Sequence, residues 1–227
     1  NCVVLNAGPT HKTGALKVFG GTGTKIAIRN NLAVNNTGAG ICCLSWAHPR
    51  DGKDLPQFAV EGNTVLFTWN FDGVSTDSGS ALKVESDVAA SVKGNVFAFS
   101  DAFGIDNAAR SKLAVSGNLF GASLQAPYLE FSTKFKFDRI EEESKCCGEF
   151  AGNVRQDVAV PVGGEWLKHY AGRKIIDRAA MDAKASPADT WANGMRKLMG
   201  LPLDGGTVDG RASAVWLHRL PVDDALR

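Results

Sequence analysis

The chain has 227 residues, 44% hydrophobic and 22% charged, a balance that fits a globular protein with a sizeable core and excludes a disordered tail. Lysine and arginine number 25 against 24 aspartates and glutamates, a net charge of +1, so no overall field gathers nucleic acid or an anionic membrane. No apolar run reaches the ~18 residues that cross a bilayer, and no basic stretch followed by an apolar one marks a secretion signal, so membrane insertion is not expected.

From the N-terminus onward one short pattern returns. The stretches "IAIRNN", "FAVEGN", "ASVKGN", "LAVSGN" and, more weakly, "GEFAGN" each run apolar-x-apolar into an asparagine. These asparagines are Asn31, Asn63, Asn95, Asn118 and Asn153, with Asn1 as an earlier corner. Their unequal spacing, 23 to 35 residues, means loops of different length between fixed corners. A second element follows each corner ("NLAV", "NTVLF", "NVFAF", "NLFG"), then a third ("GALKV", "GICCL", "SALKV", "YLEF"), which predicts three short strands per repeat. Alternation turns Ile26, Ile28, Phe58, Val60, Val92 and Val115 to one face, and Arg29, Glu61, Lys93 and Ser116 to the other.

No repeat contains an amphipathic stretch of the ten or more residues that a βαβ crossover needs. A sandwich would not bring matching residues into line at every repeat, whereas a coil whose turns lie about 4.8 Å apart stacks like on like. Asparagine is poorly suited to a sheet, but in such a stack each amide donates to one neighbour and accepts from the next, forming a ladder. The residues before the corners, Asn30, Gly62, Gly94, Gly117 and Gly152, are the types that tolerate positive φ. In the same register Arg29, Glu61 and Lys93 form one outer column. Lys17, Cys42, Lys83, Asp106 and Glu130 are expected to form another.

The five cysteines, Cys2, Cys42, Cys43, Cys146 and Cys147, are too few for a disulfide scaffold, and adjacent pairs lack the C-x-x-C spacing of zinc sites. Buried thiols are expected. Beyond "DVAVPVGGEW" the pattern changes. Ser186 as N-cap, Pro187 at the first position, Asp189 in the capping-box place and Gly200 with Pro202 as a stop predict a helix near 187–199. "EWLKHYAGRKIIDRAAMD" suggests another. Trp191, Met195, Leu198 and Met199 form an apolar stripe suited to capping the open end of a coil.

The strand-corner pattern with stacked asparagines resembles the right-handed parallel β-helix repeat proteins, the pectate-lyase-like group. The likeness spans residues 1 to 158 and is that of a C-terminal portion, with further turns expected upstream of Asn1. It implies an all-β fold: parallel β-helix rungs over 1–158 and a partly helical C-terminal cap over 159–227. It also implies an extracellular, cell-surface or periplasmic protein engaging polysaccharide along its side. Lyase-like or epimerase-like activity is one outcome; a noncatalytic structural or adhesion scaffold displaying loops is the other. The fold hosts many activities and does not choose among them.

A hydrolase of this group needs paired carboxylates, and the sole adjacent aspartates are Asp223 and Asp224 in the tail. A lyase needs a base beside a cation that neutralises a sugar carboxylate. One loop set carries His11, Lys12, Asp72 and Asp77 with Asp101 alongside. The other is the insertion "SWAHPRDGKDLPQ", with Trp46, His48, Arg50, Asp51 and Lys53, near Asp106 and Arg110. Trp46 suits stacking on a sugar ring, and Arg50 or Lys53 suits its carboxylate, although the insertion also reads as an ordinary solvated loop. Asp72, Asp77 and Asp101 could supply oxygens to calcium, but no calcium-loop spacing signals it. The histidines lack metal-ligand spacing, and neither a Ser-His-Asp set nor a phosphate-cradling glycine loop is signalled, so no catalytic residue is assigned.

Overall fold

The structure, a computed structural model, describes residues 2–5, 14–46, 54–69, 79–85, 87–109, 113–123 and 125–158. The predicted 187–199 helix and the rest of 159–227 lie outside the described residues.

Strands follow one another in sets of three. The first set is β1 (Val3–Leu5), β2 (Gly14–Gly20) and β3 (Lys25–Arg29). The second is β4 (Leu32–Thr37), β5 (Ala39–Ser45) and β6 (Gln57–Glu61). The third is β7 (Thr64–Trp69), β8 (Ser80–Val84) and β9 (Ala89–Lys93). The fourth is β10 (Val96–Ser100), β11 (Phe103–Asn107) and β12 (Ala114–Ser116). The last comprises β13 (Leu119–Phe120), β14 (Ala126–Glu130), β15 (Thr133–Phe135) and β16 (Glu149–Ala151), with β17 (Val154–Arg155) opening a further turn.

Equivalent strands of successive sets pair in parallel, giving three stacked sheets: a first in the order β1-β4-β7-β10-β13-β17, a second in the order β2-β5-β8-β11-β14-β15, and a third in the order β3-β6-β9-β12-β16. The described chain is therefore a β-helix-like coil, and its core lies between the sheets. Leu16, Ile41, Leu82, Ile105 and Tyr128 stack in register from the second sheet. Ile28, Val60, Val92, Val115 and Phe150 stack from the third, and Ala33, Val65, Phe97 and Phe120 from the first. All belong to or pack on one apolar core, where each large buried side chain contributes about 1.5–3 kcal/mol by leaving water.

The corner between the third and first sheets repeats most faithfully. Asn30, Gly62, Gly94, Gly117 and Gly152 all take positive φ, between 54° and 64°. The asparagines that follow form the predicted ladder: Nδ2 of Asn31, Asn63, Asn95 and Asn118 donates to Oδ1 of the next at 2.8 to 2.9 Å. Each of these oxygens also accepts the backbone N–H of the preceding corner at 2.9 to 3.0 Å. From Asn63 onward, the second amide proton reaches a carbonyl of the turn before: Ile28, Val60, Val92 and Val115 in order. The buried amides thereby satisfy their bonding capacity within the sheet, which removes the usual cost of burying them.

Three expectations are corrected. The first corner is Cys2 rather than Asn1: Val3 pairs with Leu32, and Cys2 N–H donates to Asn31 Oδ1 at 2.8 Å. Glu130 is one place out of the predicted column, because Asp106 pairs with Leu129 and Glu130 with Asn107. Tyr128 must face the core, where Asn107 Nδ2 donates to its hydroxyl at 3.2 Å, and alternation then fixes its neighbours. Finally, β15 returns antiparallel to β14, and a 3-10 turn (Ile140–Glu142) leads into a short helix, α1 (Glu143–Cys146), before β16. The reversal covers the end of the second sheet, where a parallel edge would lie open.

Candidate functional site

The outer face of the second sheet gathers most of the chemically distinctive side chains. Lys17, Cys42, Lys83, Asp106 and Leu129 occupy one column in register on β2, β5, β8, β11 and β14. Four of the five expected members stand there. Two residues along the strands, Phe19 of β2 pairs with Leu44 of β5. Immediately past β5, Trp46 is 71% exposed and stacks on Phe19, ring centroids 4.3 Å apart and planes 21° from parallel. Lys17 Nζ lies 5.6 Å from the Phe19 centroid, within cation–π range. An aromatic platform and a cation thus sit side by side on a rigid sheet.

The other half of the column is enclosed. Cys42 and Asp106 are each 7% exposed, and Lys83 pairs with Glu85 at 3.4 Å. Burial, and then the Glu85 carboxylate, push the Cys42 thiol up to about 12 against the opposing pull of Lys83 and Lys17. The thiol is protonated at neutral pH and is no nucleophile. The exposed half can hold a flat apolar ring face beside an anionic group. The enclosed half carries a neutral thiol and an ion-paired lysine.

Of the residues expected from sequence, Trp46 and Asp106 lie on this face, but strand and rung spacings separate them by roughly 16 Å. The structure does not bring them together. His48, Arg50, Asp51, Lys53 and Arg110 lie outside the described residues, as do His11, Lys12, Asp72 and Asp77. Asp101 is buried. Among the described residues no three His, Cys, Asp or Glu side chains are grouped to hold a metal ion. Phe19 and Lys17 escaped sequence reasoning as site residues. Aligning "LKVFGG" with "ICCLSW" would have shown Phe19 one turn away from the segment that ends in Trp46.

A concavity of about 510 Å³ runs along the outer face of the third sheet. Ala27, Ala59, Ser91 and Ala114 stack in register along its floor, and Arg29 at its border pairs with Glu61 at 2.6 Å. Its walls are mostly apolar, with Lys25, Arg29, Gln57 and Ser91 as their polar members. In comparisons with protein-family models, curated proteins and solved structures, the chain gives no significant match.

Proposed function

We propose that this chain is a right-handed β-helix protein of the pectate-lyase-like kind, and that it binds an anionic polysaccharide along the outer face of its second sheet in an extracellular, cell-surface or periplasmic setting. The observation that carries this reading is the Phe19–Trp46 stack with Lys17 beside it. Sugar rings present flat C–H faces that suit exposed aromatic surfaces, and a uronate carboxylate suits a neighbouring ammonium. Right-handedness follows from the strong preference of parallel crossover connections.

Binding without cleavage is favoured over lyase-like or epimerase-like chemistry. The thiol of the outer column is protonated, and Lys83 is engaged by Glu85. The scaffold reading differs in having no sugar partner. Retention on immobilised polygalacturonate distinguishes these. The protein is expected to be held and then released by salt, and Trp46→Ala is expected to weaken retention about tenfold, ~1.4 kcal/mol. Wild-type protein passing straight through would reject the proposal. Ultraviolet absorbance from an unsaturated product in the same incubation would instead restore the lyase reading.

A further inference from the structure

The sequence carries two adjacent cysteine pairs, and the fold treats them oppositely. Cys42 and Cys43 lie within β5, where successive side chains leave on opposite faces. Cys42 joins the outer column between Lys17 and Lys83, while Cys43 is fully buried in the core between Val18 and Val84. These two sulfurs are divided by the sheet itself. Cys146 and Cys147 break that rule. Cys146 ends α1, and Cys147 is extended at φ −153° and ψ 178°. The switch from helix to extended backbone turns both side chains inward, so that consecutive residues share the same apolar core.

Their sulfurs are 3.0 Å apart, about 1 Å beyond disulfide bond length. Cys147 Sγ also donates to Glu149 O at 3.1 Å, and Cys146 Sγ lies 3.5 Å from Glu143 O, contacts that hold the thiols in this arrangement. Cys146 has no exposed surface, whereas Cys147 retains 5%.

We propose that Cys146 and Cys147 form a redox modification site, a vicinal dithiol that a small peroxide converts to a disulfide closed across their shared peptide bond. Cys147, the less enclosed residue of the two, attacks one peroxide oxygen as its thiolate, breaks the O–O bond and becomes a sulfenic acid while the other oxygen leaves with the thiol proton as water or alcohol. Cys146 then attacks that sulfur; the S–S bond forms, the S–O bond breaks, and the hydroxyl departs as water with the Cys146 proton. Two electrons pass from the sulfur pair to the peroxide, whose oxygens leave fully reduced. Adjacent α-carbons across a trans peptide are ~3.8 Å apart, shorter than the usual disulfide span, so the product is strained and easily reduced. The hydrogen bond shared with Cys147, and then burial, raises the Cys146 pKa, and Cys146 is the resolving partner.

Trypsin places both residues in one peptide, 146–155, and Cys42 with Cys43 in another. The intact chain is treated with hydrogen peroxide, quenched in acid, then alkylated in denaturant. The 146–155 peptide is expected unalkylated and lighter by two hydrogen atoms, and prior dithiothreitol restores double alkylation. The 42/43 peptide should take two alkyl groups throughout, so the loss of two thiols is confined to the 146–155 peptide among the four buried cysteines. Cys146→Ala should abolish the disulfide, leaving Cys147 as a sulfenic acid trappable by dimedone. Double alkylation of 146–155 after peroxide, recovery of its cysteines as sulfinic acids, or their linkage to another chain would overturn the proposal.

Discussion

The corner between the third and first sheets and the outer face of the second sheet are built from the same stacked strands, yet they follow opposite rules. At the corner, every turn from Asn31 to Asn153 repeats one side chain and one bonding scheme. On the outer face, the column passes from Lys17 to Cys42, Lys83, Asp106 and Leu129, a different chemistry at each step. Repetition serves the scaffold, because a ladder works only if each member is the donor and acceptor its neighbours need. Variation marks the surface where an individual protein can differ from another of the same architecture.

The largest effect that sharpens this contrast is expected inside the ladder. Asn95→Ala removes an amide that donates to Asn118 and to Val60 O while accepting from both the side chain and backbone of Asn63. Several buried groups lose partners at about 1–3 kcal/mol each, so urea denaturation should show a loss of about 3 kcal/mol or more. A loss below ~1 kcal/mol would mean that the ladder is incidental.

Next comes a pH effect on the outer face. Burial lifts the Cys42 pKa from 9.0 to about 12 in the folded chain, so the unfolded chain gives up its proton first. The resulting stabilisation is complete below about pH 9 and drains as pH rises towards 12. Cys43, Tyr128 and Cys146 are shifted in the same direction and add to the loss. Cys42→Ala should flatten part of this decline in thermal unfolding curves taken across that window; an unchanged slope would place the thiol in water. The smallest stability effect belongs to Trp46→Ala, within about 0.5 kcal/mol, because its ring is mostly exposed. Its effect on polysaccharide retention is the larger one, and a variant that unfolds instead would make Trp46 part of the scaffold.

The scaffold was legible because its corner has two constraints that few residues meet together: positive φ at one position and a self-complementary amide at the next. Glycine before asparagine states both. The first turn was misplaced because Cys2 carries no amide, leaving Asn1 as the sole visible candidate. The Glu130 slip arose in "APYLE", where alternation alone allows either Tyr128 or Leu129 to face inward, and the Asn107 bond decides. Phe67 and Phe99 were missed as well. They stack at 4.7 Å with φ of 54° and 59°, at places where strand pairing skips a residue. Such a left-handed backbone kink, matched on adjacent strands, is unexpected for a bulky side chain, and sequence patterning does not signal it. The candidate site was only half legible: Trp46 and Asp106 stand out by type, but Phe19 and Lys17 acquire meaning only through cross-strand register.

Consecutive winding is the central claim, and a pair of engineered cross-links tests it directly. Ala59 and Ser91 pair in register on adjacent turns, while Ala27 and Ser91 are two turns apart in the same column. Rung spacing puts the first pair at about 4.8 Å and the second at about 9.6 Å, inside and outside disulfide reach respectively. Under mild oxidation, Ala59→Cys with Ser91→Cys should link within one chain, as read by peptide mapping, and Ala27→Cys with Ser91→Cys should not. Failure of the first pair to link, or equally fast linking of the second, would contradict the coil.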